Sequence, residues 1–212
     1  MAIDPYHLTW VLSKVEEQGL LSRNLRTILR DKAVKSEDPQ ACMSYLQSFG
    51  KGRAEPLLEP TIATHGWNSV YYATTTGRRF PAGEPKILEE PFHAMEYARS
   101  VVKGRWPEAE AIIATHPYTA LNYAKLMNGR KRVKERFTAG EPAILEEAET
   151  SIAYAKNIIK GRWPEGEPYM INDVTWTAKH WTRRYAEIAG YTDPGSWAQR
   201  QRERLRRGQP NV

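Results

Sequence analysis

Phe80–Glu110 reads FPAGEPKILEEPFHAMEYARSVVKGRWPEAE, and Phe137–Glu167 reads FTAGEPAILEEAETSIAYAKNIIKGRWPEGE. The two stretches align without a gap at an offset of 57, and 18 of their 31 positions are identical, which marks a duplication. A shorter period lies inside it. Tyr-Ala recurs at Tyr72-Ala73, Tyr97-Ala98, Tyr123-Ala124 and Tyr154-Ala155, at steps of 25, 26 and 31. Gly-Arg-Trp-Pro-Glu-x-Glu stands at 104–110 and 161–167. Degenerate copies begin at Arg79-Phe80 and Arg136-Phe137, and an eroded one at Lys51-Gly52-Arg53. Ile-Ala-Thr-His repeats at 62–65 and 113–116. Self-similarity at such a period is the signature of a repeat architecture.

Each repeat reads as two helices. Ala94, Tyr97, Ala98, Val101 and Val102 fall at i, i+3, i+4, i+7 and i+8, a single helical face. Ile152, Tyr154, Ala155, Ile158 and Ile159 form the matching face. The small Ala beside Tyr lets a neighbouring helix approach while the ring covers the contact. Gly104 and Gly161 are expected to end these helices in the left-handed conformation. Pro107-Glu108-Ala109-Glu110 and Pro164-Glu165-Gly166-Glu167 then open a shorter helix, with Pro in the first turn and Glu at the positive end of the dipole. Ile87-Leu88, Ile112-Ile113 and Ile144-Leu145 supply its buried face. A lone hairpin of this kind cannot bury its apolar stripe, and stacking solves that problem.

The chain is therefore expected to be all-α: tandem helical hairpins of about 26 residues forming a short α-solenoid with capping helices. Residues 1–37 are read as N-terminal caps, 38–171 as the array, and 172–212 as C-terminal helices with a basic tail. Asp4-Pro5 begins a helix to about Gln18, and Ser22–Ala33 follows with Leu25, Ile28 and Leu29 inward. Asp173–Ala189 carries Trp176, Trp181, Tyr185 and Ile188, and Gly190 closes it. Asp193-Pro194-Gly195 is a turn before a final helix over Ser196–Arg207.

The Tyr-Ala … Lys-Gly-Arg-Trp-Pro-Glu-x-Glu pattern, carried by Gly104–Glu110, Gly161–Glu167 and the Tyr-Ala pairs, resembles a helical repeat of tailed-bacteriophage proteins. In architecture it is similar to tetratricopeptide and Sel1-like arrays. The resemblance covers about residues 38–171 and implies an α-solenoid-like fold and a viral origin. It implies no activity. The period of about 26 departs from the 34 of tetratricopeptide arrays, so their peptide groove does not carry over.

Net charge is +6, and its distribution says more than its total. Lys125, Arg130, Lys131, Arg132, Lys134 and Arg136 cluster with only Glu135 against them, where five extra residues lengthen one repeat. Arg183, Arg184, Arg200, Arg202, Arg204, Arg206 and Arg207 fall within the last 30 residues. Basic patches suit an acidic partner, either nucleic acid or an acidic protein face. Arg105-Trp106 and Arg162-Trp163 have the chemistry to stack on bases or clamp phosphate. A Trp before Pro in every second corner is better read as a plug between repeats.

No catalytic set emerges, so the chain is not read as an enzyme. His7, His65, His93, His116 and His180 include no pair four apart, and HExxH, phosphate-binding glycine loops and Gly-x-Ser-x-Gly are absent. His65 and His116 occupy matching corners and are read as structural. Cys42, the single cysteine, is a packing residue and excludes an internal disulfide. Glu89-Glu90 and Glu146-Glu147 recur with the repeat but point about 100° apart on a helix, so neither pair shares a site. No cofactor or metal is expected. Neither a membrane span nor a secretory signal is expected, and the reading is a cytoplasmic protein, in the host cell if viral, or a virion component.

The functional expectation is a scaffold that binds another protein, a host factor or a virion component, through its repeat surface. The alternative is weak nucleic-acid binding. The candidate contact residues are Arg105, Trp106, Arg162, Trp163, Arg130, Lys131, Arg132, Lys134, Arg200, Arg202, Arg206 and Arg207.

Overall fold

In a computed structural model, which describes residues 23–50, 52–129, 134–171 and 183–207, every regular element is helical and no strand occurs among the described residues. The chain forms two compact halves, Met1–Lys103 and Gly104–Val212, and the division falls between a main helix and the corner that follows it.

The N-terminal half contains α1 (Arg23–Lys35), α2 (Pro39–Tyr45), the short α3 (Glu59–Ile62), α4 (Gly66–Thr76), the short α5 (Glu84–Ile87) and α6 (Pro91–Tyr97). The Asp38 side chain accepts from the Gln40 N–H and Pro39 occupies the first turn, so α2 starts where its cap chemistry puts it. Cys42 is fully buried, with its thiol 3.5 Å from the Ala33 carbonyl. On α1 the structure corrects the inward assignment of Ile28, which is 51% exposed, while Leu25 and Leu29 are half-buried.

The C-terminal half contains a 3₁₀ turn (Pro107–Ala109) running into α7 (Glu110–Ile113), then α8 (Pro117–Asn128), and a second 3₁₀ turn (Thr138–Gly140) running into α9 (Glu141–Ile144). Next come α10 (Ala148–Tyr154) and a third such pair, Pro164–Gly166 and α11 (Glu167–Ile171). The chain ends in α12 (183–188) and α13 (Pro194–Arg206). The expected helix at Asp4–Gln18 and most of that at Asp173–Ala189, with Trp176 and Trp181, lie outside the described residues; Tyr185 is fully buried. Asp193-Pro194-Gly195 is not a separate turn. Asp193 caps α13 by accepting from the Ser196 N–H, and Pro194 and Gly195 form its first turn.

The helix ends depart from expectation at one residue each. After α2, α6 and α10 the helix widens into a π turn: Leu46–Gly50, Ala98–Val102 and Ala155–Ile159. The left-handed residue that follows is Lys103 (φ 57°) or Lys160 (φ 60°), one position before the glycine assigned that role. The wider turn explains the shift. The Lys160 N–H reaches five residues back to the Ala155 carbonyl at 2.7 Å, so the chain reverses earlier. Gly77 (φ 69°) ends α4, which has no π turn, in the way expected of a glycine.

No helix among the described residues is long and apolar enough to cross a membrane.

Candidate functional site

One arrangement recurs through both halves, and it is built on tyrosine. Tyr72, Tyr97, Tyr123, Tyr154 and Tyr185 are at most 1% exposed. Each hydroxyl accepts from a backbone N–H at the corner upstream, of Glu55, Phe80, Trp106, Phe137 and Trp163 respectively, at 2.7–3.1 Å. Each also donates to a carboxylate, of Glu59, Glu84, Glu110, Glu141 and Glu167, at 2.6–3.1 Å. From the second corner on, an arginine five residues ahead grips the same carboxylate through two nitrogens: Arg79, Arg105, Arg136 and Arg162. Ala54 stands where the first corner would carry that arginine, and Arg78 reaches Glu59 from the end of α4 instead.

The glutamate thus begins a short helix, where its charge suits the dipole, and also receives the tyrosine proton. Glu167 is the most enclosed, at 3% exposed, and takes a further hydrogen bond from Tyr191. Burial pushes the Tyr97 and Tyr123 hydroxyls up to about 12, opposed by the backbone N–H and assisted by Glu84 or Glu110. Tyr154 and Tyr185 are raised further for the same reason.

Aromatic contacts close the joint. Tyr72 meets Phe80 edge-on at 4.8 Å, Tyr123 meets Phe137 at 5.1 Å, and Tyr154 meets Trp163 at 5.1 Å. Gly83, Gly140 and Gly166 underlie these rings: a Cβ at Gly140 would lie 2.6 Å from the Phe137 ring, and one at Gly166 2.7 Å from the Trp163 ring. Hydroxyls near the start of the main helices satisfy the carbonyl that ends three of the short helices, with Ser69 on Ile62, Thr119 on Ile113, and Thr150 and Ser151 on Ile144.

This geometry relocates the candidate contact residues. Trp106 and Trp163 are each 1% exposed and belong to the core, so burial removes both rings from any contact surface. Arg105 and Arg162 are exposed but engaged by Glu110 and Glu167. Arg130, Lys131 and Arg132 lie outside the described residues. Lys134 is half-buried and donates to the Gly129 carbonyl at 2.9 Å. The inserted segment is tied at its base by Asn128, whose side chain donates to the Glu135 carbonyl and accepts from the Glu135 N–H. On α13, Arg200 and Arg207 are exposed; Arg202 and Arg206 stand on the same helix. Arg200, Gln201, Glu203, Arg204 and Arg207 line a shallow depression. Glu89 pairs with Lys86 at 2.7 Å, and Glu90 and Glu147 precede α6 and α10 without capping them through their side chains. His65 caps α4, its Nδ1 accepting from the Asn68 N–H at 3.4 Å.

Sequence reasoning missed two features. The first is the constant spacing of 13 from Glu to Tyr in four repeats, at Glu59, Glu84, Glu110 and Glu141. The second is Tyr185-Ala186, a fifth Tyr-Ala pair, both residues fully buried, beyond the end given to the array. Comparison of the chain with known protein families, curated proteins and solved structures found no match.

Proposed function

We propose that the chain is a helical-repeat scaffold of the bacteriophage type, a short α-solenoid of tandem hairpins that binds another protein through its repeat surface. One observation carries the reading. The residues with the most conspicuous chemistry serve as joints: a buried Tyr bonds a corner Glu at five successive places, a corner Arg grips that Glu at four of them, and a Trp backbone N–H donates to the Tyr at two. Side chains spent on joints hold a shape, and in stacked repeats the residues left over on the surface do the recognising.

The partner is a host factor or a virion component, and capture separates them. Tagged full-length chain, presented to host cytoplasm and to disrupted purified particles, is expected to retain one protein at fixed stoichiometry after nuclease treatment and 300 mM salt. Retention of nucleic acid alone would contradict the reading.

The arginines of α13 favour a second reading, nucleic-acid contact, since Arg200, Arg204 and Arg207 share one depression. Such binding falls steeply with salt as phosphates release counterions. The buried corner rings offer no stacking platform beside those arginines. Affinity for a short duplex is therefore expected only in the range of about 10⁻⁴–10⁻⁶ M. Submicromolar binding at 150 mM salt would move nucleic acid to first place.

A further inference from the structure

We propose that the flank of α13 formed by Arg200, Arg204 and Arg207 docks an acidic helical segment of a protein partner. The inference rests on the protein-binding reading above and gives the partner its charge. The three arginines fall at i, i+4 and i+7, so they share one side of the helix over about two turns. With Gln201 and Glu203 they line a depression of about 300 Å³. Arg200 and Arg207 are exposed and Arg204 is half-buried beside Trp197 and Gln201, which are buried.

The helix that carries them is anchored by its other side to the last joint of the C-terminal half. Trp197 stacks on Tyr191 with ring centroids 4.4 Å apart and meets Tyr185 at 5.9 Å. Both tyrosines donate to Glu167, and the Arg162 guanidinium lies 5.9 Å from the centre of the Tyr191 ring. A helix held in this way presents its flank without first having to be ordered, which lowers the cost of binding. The charge on that flank is uncompensated. From Ser196 to Arg207 five arginines stand against Glu203 alone. Glu203 accepts from the Gln199 side chain at 3.1 Å, and Asp193, just ahead of the helix, is occupied in capping it. Arg162 and Arg183 are paired with Glu167 and Glu187, whereas Arg200, Arg204 and Arg207 have no ion pair among the described residues.

Guanidinium groups take carboxylates through two parallel hydrogen bonds. A partner helix with Glu or Asp three and four residues apart rises at the same rate as α13, so its carboxylates meet the arginines in register. A nucleic-acid backbone fits this flank less well. Glu203 stands among the arginines and repels a continuous line of phosphates, and Trp197 is buried, so α13 offers no ring for a base to stack on.

The test titrates the full chain at 50 mM salt into fluorescein-labelled (Glu-Ala-Ala-Glu-Ala-Ala-Ala)₃, its glutamine counterpart, and a short labelled DNA duplex. Saturable binding of the glutamate peptide is expected, with none of the glutamine peptide and weaker binding of the duplex. Arg200→Gln with Arg207→Gln, both at exposed positions, should weaken binding of the glutamate peptide at least fivefold. Arg183→Gln with Arg184→Gln removes the same charge from exposed positions of the same half and should change it less than twofold. Equal affinity in the two double variants, equal binding of the glutamine peptide, or no saturable binding by the parent overturns the proposal. Tighter binding of the duplex than of the glutamate peptide overturns it as well, and assigns the flank to nucleic acid. If the parent ignores the acidic probe yet captures a protein, this flank is wrong and the scaffold reading survives. Glutamate binding that depends on Arg200 and Arg207 supports the flank whatever the capture returns.

Discussion

At the scale of single residues, the tyrosine hydroxyl decides more than the arginine beside it. Arg79, Arg136 and Arg162 have side chains 40–48% exposed, so their ion pairs contribute roughly 0–1 kcal/mol each, and Arg105 is more exposed still. Removing a buried hydroxyl instead strands an N–H and a carboxylate oxygen, at about 1–3 kcal/mol. Tyr123→Phe should therefore lower stability by that amount in urea titration, while Arg105→Gln costs less than half as much. The raised phenols add a pH dependence. They favour the neutral form, so their contribution is whole below about pH 10, the unfolded value, and is lost as pH rises through about 12. Stability should hold to about pH 9.5 and fall steeply above pH 10, with a shallower fall in Tyr97→Phe, as thermal melts across that range would show. The buried ring was legible in the sequence because tyrosine beside alanine recurs on one helical face. Its polar partners were not, because a helix face shows what is apolar and hides which distant carboxylate the hydroxyl meets.

At the scale of elements, the corners and helix ends divide into buried and exposed positions. Trp106→Ala and Trp163→Ala should each cost about 3–5 kcal/mol, since both rings are buried. Phe92→Ala, at 64% exposed, should stay within about 0.5 kcal/mol. Equal effects in the three melts would contradict the assignment. The insertion depends on Asn128: Asn128→Ala frees both polar groups of Glu135 and should destabilise by about 1–3 kcal/mol, where Lys134→Ala costs less. The period, the Gly-Arg-aromatic-Pro corner and the short helix were readable because Pro and Gly punctuate them locally. The π turns were not, and they move the left-handed residue from Gly104 and Gly161 to Lys103 and Lys160. No local composition marks a helix that widens by one residue.

For the whole molecule, five polar joints of one design hold the helices of the described residues, and the proposed scaffold uses the surface they leave. The fifth, at Tyr185, lies past residue 171, where the array was expected to end; the step of 31 from Tyr154 and the longer span of 18 back to Glu167 hid it. Amide hydrogen exchange of the full chain by NMR tests this most directly. The N–H groups of Phe80, Trp106, Phe137 and Trp163 lie outside the helices, where amides ordinarily exchange fast, yet each donates to a buried tyrosine oxygen at 2.7–2.8 Å. All four should be protected as strongly as the helix interiors of Val70, Leu121 and Ile152, and protection at Trp106 should fall selectively in Tyr123→Phe. Exchange of these four amides at the rate of open loops would contradict the joints and the scaffold built on them.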